Sequence, residues 1–184
     1  MPLLVLLSFL ALSTPSGAEV NDALWEALRG GGQVVLMRHA VTTPGVGDPP
    51  GFRLDECSTQ RNLTDAGRED ARRVGAAFRA RSIPIGRVLS SPWCRCLETA
   101  RLAFGGAEVW TPLSNLFDNR AREPEQMRAL REIAGRRPTG GNLLLITHGS
   151  VVLPLTGIQP APAELVVLTP ETAGRFRVAG RLTP

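Results

Sequence analysis

Two apolar segments of this sequence each stop abruptly at a histidine. Residues 34–37 follow a run of glycines and lead into Arg38 and His39, and residues 143–146 lead, after one threonine, into His148. Short apolar runs that follow glycine are typical of buried strands in a parallel sheet. Ligands of such sheets bind at the carboxyl ends of the strands. Because the chain has only two histidines, their shared position predicts one polar site, suited to an anion.

The rest of the chain alternates predicted strands and helices, which indicates an α/β fold. We expect a three-layer αβα sandwich, with a mostly parallel mixed sheet and helices on both faces. The predicted strands span residues 32–37, 87–90, 108–110, 142–147, 164–168 and 175–178, and the predicted helices span 21–28, 64–81, 124–137 and 150–155, with a further helix starting near residue 92. At 184 residues with 43% hydrophobic content, the chain suits a single domain, which we place at residues 19–184.

The composition is compatible with a small anionic ligand, and the codon bias of a GC-rich genome is the alternative explanation of its arginines. All 21 basic residues are arginines, whose planar and permanently charged guanidinium suits phosphate and carboxylate groups. The net charge of +4 is too small and too scattered to indicate a nucleic-acid partner. The chain also lacks tyrosine, which argues against a platform for stacking nucleobases.

The amino terminus resembles a targeting segment. Residues 3–12 form a continuous apolar run, and small residues at Ser16 and Ala18 provide a cleavage site before Glu19. The run is shorter than the roughly 20 residues that span a bilayer. We therefore predict a signal peptide at residues 1–18 and a periplasmic or secreted protein. An uncleaved membrane anchor is the alternative.

The three cysteines fit a disulfide better than a metal site. Cys94 and Cys96 are separated by one residue on a predicted helix, so their side chains diverge, and no histidine completes a ligand set. Cys57 is expected to form a disulfide with Cys94 or Cys96, which suits an exported chain. Three buried free thiols are the alternative. We predict no metal ion and no cofactor.

Two further segments bring polar groups to the same end of the sheet. Residues 41–57 form a loop dense in glycine and proline that leaves directly from His39, and loops of this length in a compact domain are usually functional. Ser91 is predicted to cap the next helix, with Pro92 in its first turn. Arg95 would then lie near the free N–H groups of that helix, where an anion is favoured. We expect Arg95 to face a bound phosphate.

The segments around the two histidines resemble the signature of the histidine phosphatase (phosphoglycerate mutase-like) superfamily, and the composition resembles its small exported bacterial members. The matching motifs occur in the family's order: Leu36-Met37-Arg38-His39-Ala40, Leu63-Thr64 with Gly67, Ser90-Ser91-Pro92 through Arg95 to Glu98-Thr99-Ala100, and Thr147-His148-Gly149. The resemblance implies that His39 is the nucleophile that becomes phosphohistidine, and that Arg38 and Arg95 bind the phosphoryl oxygens. It implies that His148 donates a further hydrogen bond to them and that water hydrolyses the phosphoenzyme.

The general acid is where the sequence departs from the family. The mutase branch carries a glutamate in the segment that corresponds to residues 115–118, where this chain has Asp118. We expect Asp118 to protonate the leaving group, with Glu123 and Asp48 as alternatives. The acid-phosphatase branch has an aspartate directly after its second histidine, but Gly149 stands there, which excludes that arrangement.

The loop after His39 also departs from the mutase pattern. We expect Thr42 to replace a serine hydroxyl as a phosphate ligand, and Gln60 and Arg61 are further candidates at the far end of the loop. The sequence therefore predicts a metal-independent phosphomonoesterase that acts through phosphohistidine on a small phosphate ester. The alternative is a non-catalytic protein of the same fold that binds a phosphate ligand.

Overall fold

The computed structural model describes residues 17–117, 119–172 and 174–184. The helices in these ranges are α1 (Gly17–Arg29), α2 (Asp65–Ala80), α3 (Cys94–Phe104), α4 (Glu123–Ala134) and α5 (Gly149–Thr156), and the strands are β1 (Val34–Arg38), β2 (Ile85–Ser90), β3 (Glu108–Val109), β4 (Asn142–Thr147), β5 (Leu165–Thr172) and β6 (Arg175–Leu182). The predicted signal segment lies outside the described residues, except for its last two, which begin α1. No helix in the described ranges is both long and apolar enough to cross a bilayer.

The strands form one mixed sheet in the order β3-β2-β4-β1-β5-β6. The first four strands, β1 to β4, are parallel to one another. Strand β5 is antiparallel to both of its neighbours, β1 and β6. This topology confirms the predicted α/β fold with a mostly parallel mixed sheet. The two strands that end at the histidines, β1 and β4, are direct neighbours.

Helices cover both faces of the sheet because its central strands are apolar on both sides. Along β1, Val35 and Met37 pack into a core cluster shared with α1, α2 and α3, whereas Val34 and Leu36 pack into a second cluster shared with α4 and α5. Side chains alternate between the two faces of a strand, so a continuous apolar run needs cover on each side. The three-layer αβα arrangement follows from this pattern.

Helix α2 begins where the sequence predicts, and its first turn supports the loop that follows His39. The Thr64 hydroxyl accepts a hydrogen bond from the Gly67 N–H at 3.0 Å, as expected of an N-cap threonine. A Cβ atom at residue 67 would lie 2.0 Å from the Val41 carbonyl oxygen. Glycine at this position therefore lets α2 lie directly against the chain just after His39.

Helix α3 begins later than the sequence predicts. Its first residue is Cys94, and its N-cap is Trp93, whose backbone is extended. The prediction of Ser91 as the cap is wrong, because the Ser91 hydroxyl lies 2.8 Å from Nε2 of His148 instead. Arg95 is still in the first turn of the helix, as expected.

Candidate active site

His39 and His148 lie side by side at the carboxyl edge of the sheet. Because β1 and β4 are parallel neighbours with Arg38 opposite Thr147, the residues that follow these strands leave the sheet together. The His39 N–H donates to the Thr147 carbonyl at 2.9 Å, and the two imidazole centroids are 5.3 Å apart. Both side chains are buried. The strand register thus brings the two histidines to one site.

A cavity of about 400 Å³ opens beside the two imidazoles. Its walls come from the ends of β1 and β4, the loop after β1, the first turn of α3, the segment after β3 and the start of α5. The residues that line it are Arg38, His39, Gly45, Val46, Gly47, Arg61, Arg95, Asn115, Phe117, Arg120, His148, Gly149, Ser150, Leu153 and Gln159. None of these described residues is acidic. Across the described chain, no group of three or more His, Cys, Asp or Glu residues is arranged to hold a metal ion.

Three arginines of the cavity each have a buried guanidinium Nε without a partner. In the described ranges, four buried side-chain nitrogen or oxygen atoms lack a hydrogen bond, and three of them are the Nε atoms of Arg38, Arg61 and Arg95. Burial lowers the pKa of both Arg38 and Arg61, and the charge of a neighbouring arginine lowers each pKa further. A buried donor without an acceptor is costly. The cluster therefore favours an anion that brings acceptor oxygens.

Asp48 is the counter-ion of Arg95. Its carboxylate accepts a hydrogen bond from Arg95 Nη1 at 2.7 Å, from the Trp93 indole at 3.0 Å and from the Arg61 N–H at 3.0 Å. Burial alone would raise the pKa of Asp48, but the hydrogen bonds from Arg95 and Arg61 hold this pKa below its ordinary value. Asp48 is therefore an ionised, fully bonded carboxylate and does not fit the alternative role of proton donor.

The hydrogen bonding of His39 leaves Nε2 as its basic nitrogen. Nδ1 lies 2.9 Å from the Ala40 carbonyl oxygen, and since a carbonyl only accepts, Nδ1 carries the proton and donates it. Burial lowers the pKa of His39 to about 3, with the charges of Arg95 and Arg38 adding to the shift and the Ala40 hydrogen bond opposing it. The imidazole is therefore neutral at neutral pH, with its lone pair on Nε2. Such a nitrogen can attack an electrophilic phosphorus.

His148 contacts Ser91, which precedes α3, and Cys96, which lies in α3. Its Nε2 lies 2.8 Å from the Ser91 hydroxyl and 3.5 Å from Sγ of Cys96. Burial, followed by the neighbouring His39 and Arg95, lowers the pKa of His148 well below its usual range. Burial also raises the pKa of the Cys96 thiol to about 12, so this cysteine is a protonated neighbour. His148 is therefore neutral too and has one N–H to donate.

Thr42 and Glu123, two further site residues expected from the sequence, do not line the cavity. The backbone of Thr42 pairs with Leu63 in an isolated bridge. Glu123 begins α4 and lies 3.8 Å from Arg120. Asp118 lies outside the described residues. The structure thus brings together the two histidines with Arg38 and Arg95 but not Thr42 or Glu123.

The Gln159 amide lies beside the residue that follows His148. A Cβ atom at residue 149 would lie 2.4 Å from Nε2 of Gln159, so a larger residue here would require the glutamine side chain to move. Gln159 also contributes to the lining of the cavity.

Sequence reasoning missed or undervalued three contributors to the site. Asp48 lies in a loop without periodicity, and Ser91 has the sequence context of a helix cap, so neither carries a signal for its contact in the site. Arg61 lines the cavity, whereas its neighbour Gln60 accepts the Cys94 N–H at 3.0 Å. The one available signal for Arg61 was its place just before the Leu63-Thr64 motif.

A disulfide joins the loop wall of the cavity to the start of α3. Of the two pairings that the sequence left open, Cys57 pairs with Cys94, and Cys96 is a free, buried thiol. The two bridged residues are 37 positions apart, and the segment between them contains Arg61. The bridge therefore limits how far this wall moves from α3 and Arg95.

Solved structures share the fold of this chain. The protein histidine phosphatase SixA in complex with tungstate is 21% identical, with a TM-score of 0.57 over 83% of this chain and 97% of that one. A candidate phosphohistidine phosphatase SixA from Agrobacterium tumefaciens is 24% identical, with a TM-score of 0.55 over 84% and 99% of the two chains. The product of an open reading frame of Mycobacterium tuberculosis is 18% identical, with a TM-score of 0.56 over 80% and 96%.

Sequence comparison agrees with the likeness in fold. Among curated proteins, none matches this sequence. Residues 34–123, which contain His39, Arg61 and Arg95, match the model of the histidine phosphatase superfamily, branch 1. This segment of the chain is therefore similar to the histidine phosphatase superfamily, branch 1.

Proposed function

We propose that this protein is a metal-independent phosphomonoesterase that acts on a small phosphate ester through a phosphohistidine formed on His39. The observation that carries the proposal is the cluster of Arg38, Arg61 and Arg95, whose buried Nε atoms lack partners, around a neutral His39. With Asp48 counted, two positive charges are left uncompensated, which suits the near-dianionic phosphate of a monoester. The family match supports the same chemistry, and the solved SixA complex contains tungstate, a tetrahedral oxyanion like phosphate.

The reaction has two displacements at phosphorus. In the first, Nε2 of His39 forms a bond to phosphorus while the bond from phosphorus to the ester oxygen breaks. The guanidinium groups and the His148 N–H stabilise the negative charge on the phosphoryl oxygens. In the second, water attacks phosphorus, the phosphorus–nitrogen bond breaks, and inorganic phosphate leaves neutral His39 behind. The Nδ1 proton stays on His39 throughout, hydrogen-bonded to Ala40.

We propose Asp118 as the general acid. The protonated carboxyl gives its proton to the departing ester oxygen, and the resulting carboxylate takes a proton from the attacking water. The alternatives have other partners, because Asp48 is ionised in its ion pair and Glu123 lies next to Arg120. Phe117 and Arg120, which stand on either side of residue 118 in the sequence, both line the cavity.

We propose that the protein is exported, with residues 1–18 as its signal peptide and 19–184 as the mature domain. The disulfide between Cys57 and Cys94 supports this location, because disulfides persist in oxidising compartments such as the periplasm and the extracellular space. Mass spectrometry of the protein recovered from its producing cell tests the proposal. A mature amino terminus at Glu19 is expected, and a retained Met1 would contradict it.

Hydrolysis of p-nitrophenyl phosphate in the presence of EDTA tests the proposed activity. We expect turnover by the wild type and none by His39→Ala, whereas Thr42→Val, which alters a hydroxyl outside the cavity, retains activity. If the wild type does not turn over but phosphate raises its melting temperature, the protein is a non-catalytic phosphate binder. Neither turnover nor stabilisation by phosphate would contradict the site itself.

A further inference from the structure

Three of the residues that line the cavity have exposed apolar side chains. Val46, Phe117 and Leu153, here called the apolar rim, line the cavity while 83%, 58% and 44% of their surfaces are exposed. The other exposed large apolar residues of the described chain, which do not line it, are Val20, Leu54, Ile85 and Val109. Apolar surface that gathers at one place on a protein marks a contact site for a ligand or partner.

The apolar rim is assembled from three separate parts of the chain. Val46 belongs to the loop after β1, Phe117 to the segment between β3 and α4, and Leu153 to α5. Leu153 is exposed even though its neighbours Val152 and Leu155 are buried in the core. The convergence of three segments on one mouth is therefore a property of the folded site rather than of one apolar stretch.

The cavity has a polar interior, and the apolar rim lies nearer its entrance. His39, His148 and Arg95 are almost fully buried, whereas the apolar rim is exposed, so these three polar side chains lie deeper than the rim. The cavity volume of about 400 Å³ lies within the range of roughly 300–1,000 Å³ that encloses a small organic ligand. A phosphoryl group at the arginines therefore leaves space for the rest of the ligand, next to the apolar rim.

Part of the polar lining has partners within the protein. The Asn115 side-chain oxygen accepts a hydrogen bond from the Ser150 hydroxyl at 2.7 Å and from the Phe117 N–H at 3.2 Å. Arg120 lies 3.8 Å from the carboxylate of Glu123, and 74% of its side chain is exposed. The Asn115 oxygen is therefore less available to a ligand than the apolar rim is.

We propose that the substrate is an amphiphilic phosphomonoester, whose phosphate binds the arginines and whose alkyl or aryl leaving group packs against the apolar rim. The inference rests on the proposed phosphatase function, since it names the substrate class of the same site. Sugar and polyol phosphates, whose leaving groups are polar, are expected to be poorer substrates. Each methylene that contacts the apolar rim leaves water and adds to binding.

Alkylphosphonates test this proposal without turnover, because the carbon–phosphorus bond is not hydrolysed. Calorimetry compares n-propylphosphonate with n-hexylphosphonate, which have the same head group. We expect about a twofold gain in affinity for each added methylene, and so about an eightfold gain for the three methylenes that separate the two compounds. A twofold gain corresponds to about half of the free energy that a fully buried methylene contributes. Equal affinities, or no binding of either compound, would overturn the proposal.

The corresponding n-alkyl phosphates extend the test to catalysis. Propanol and hexanol have nearly equal acidity as leaving groups, so a difference in kcat/KM reports contact with the chain. We expect about eightfold higher kcat/KM for n-hexyl phosphate, by the same reasoning, and lower values for glycerol phosphate. If no ester is hydrolysed while hexylphosphonate still binds more tightly, the proposed activity fails and the apolar binding site stands.

Substitutions locate the contact. Phe117→Ser and Leu153→Ser should each bring the hexyl-to-propyl affinity ratio towards one, while Val109→Ser, at a site with 55% exposure away from the cavity, keeps the full ratio. Two separate variants are used so that the test remains possible if one of them does not fold. Unchanged ratios in both variants would overturn the assignment of the apolar rim. Hydrolysis of a phosphohistidine peptide, together with equal kcat/KM for propyl and hexyl phosphate, would also overturn it.

Discussion

Asp48 and Arg95 form an ion pair at 2.7 Å in which neither side chain has more than 1% of its surface in solvent. Asp48 comes from the loop after β1 and Arg95 from α3, the same two parts of the chain that the disulfide from Cys57 to Cys94 joins. A buried charge is stable only when it is paired. The pair therefore holds in place, before any anion binds, an arginine that we propose as a phosphate ligand.

Removing the charge of Asp48 should make the protein depend on phosphate. We expect Asp48→Asn to lower the free energy of unfolding by about 3 kcal/mol, because Arg95 then lacks its counter-ion. Phosphate should raise the melting temperature of Asp48→Asn more than that of the wild type, since the anion becomes the main counter-ion of Arg95. Asp65→Asn is the matched control, because the Asp65 side chain is fully exposed, and it should change both quantities much less. An equal or smaller effect of phosphate on Asp48→Asn would count against this role.

The two histidines should make the stability depend on pH. An unfolded histidine has a pKa of about 6.5, whereas burial lowers the pKa of His39 to about 3. The unfolded state therefore binds a proton that the folded state rejects as the pH falls below 6.5. Between pH 7 and pH 5 this costs about 2 kcal/mol of stability for His39, and His148 adds a loss of the same sign.

Denaturant unfolding in phosphate-free buffer at pH 7 and pH 5 measures this loss. The difference between the wild type and His39→Gln cancels the contribution of the carboxylates. A doubly substituted chain with His39→Gln and His148→Gln has no histidine and should show the smallest dependence. An identical pH dependence in all three proteins would show that the histidines are not buried in the neutral form.

Loss of the disulfide should weaken both the fold and substrate binding. Cys57 and Cys94 close a segment of 37 residues, for which the chain-entropy model gives a stabilisation of about 4 kcal/mol as an upper value. The segment includes Arg61, so we expect Cys57→Ala with Cys94→Ala to raise KM more than it lowers kcat. Dithiothreitol should reproduce both effects in the wild type and do nothing to the double variant. A wild type insensitive to reduction would contradict this account.

The leaving group identifies the general acid. Alkoxides need a proton to depart, whereas p-nitrophenolate does not, so Asp118→Asn should lower kcat/KM for an alkyl phosphate by about 10²–10⁴-fold. For p-nitrophenyl phosphate, we expect a much smaller loss. Glu123→Gln is the matched control in the neighbouring sequence and should affect neither substrate. If Glu123→Gln shows the selective loss instead, the proton comes from Glu123.

The architecture could be predicted from the sequence because burial leaves a regular pattern. Continuous apolar runs in β1 and β4 require cover on both faces of a sheet, and glycines mark where those strands begin. The position of His39 and His148 after these runs was enough to place both at the same edge. That the two histidines are direct neighbours could not be predicted, because it depends on the order of the strands in the sheet, and no local sequence pattern shows that order.

The parts of the site that the sequence did not predict depend on contacts between distant segments. Asp48 meets Arg95 only because the loop after β1 folds back over α3, and that loop has no periodic pattern to show which residue points inwards. Ser91 fits the rule for a helix cap, but contact with His148 takes its hydroxyl. A local sequence rule of this kind fails when the same side chain makes a contact in a functional site.

A phosphate group on His39 is the central claim, and trapping it is the most direct test. The purified protein is mixed with a phosphate ester, quenched rapidly in alkali, where phosphohistidine is stable, and digested for mass spectrometry. We predict one added phosphate on the peptide that contains His39, none after quenching in acid, which hydrolyses phosphohistidine, and none in His39→Gln. Turnover of the ester without any phosphate on His39, or with the phosphate on His148, would contradict the account.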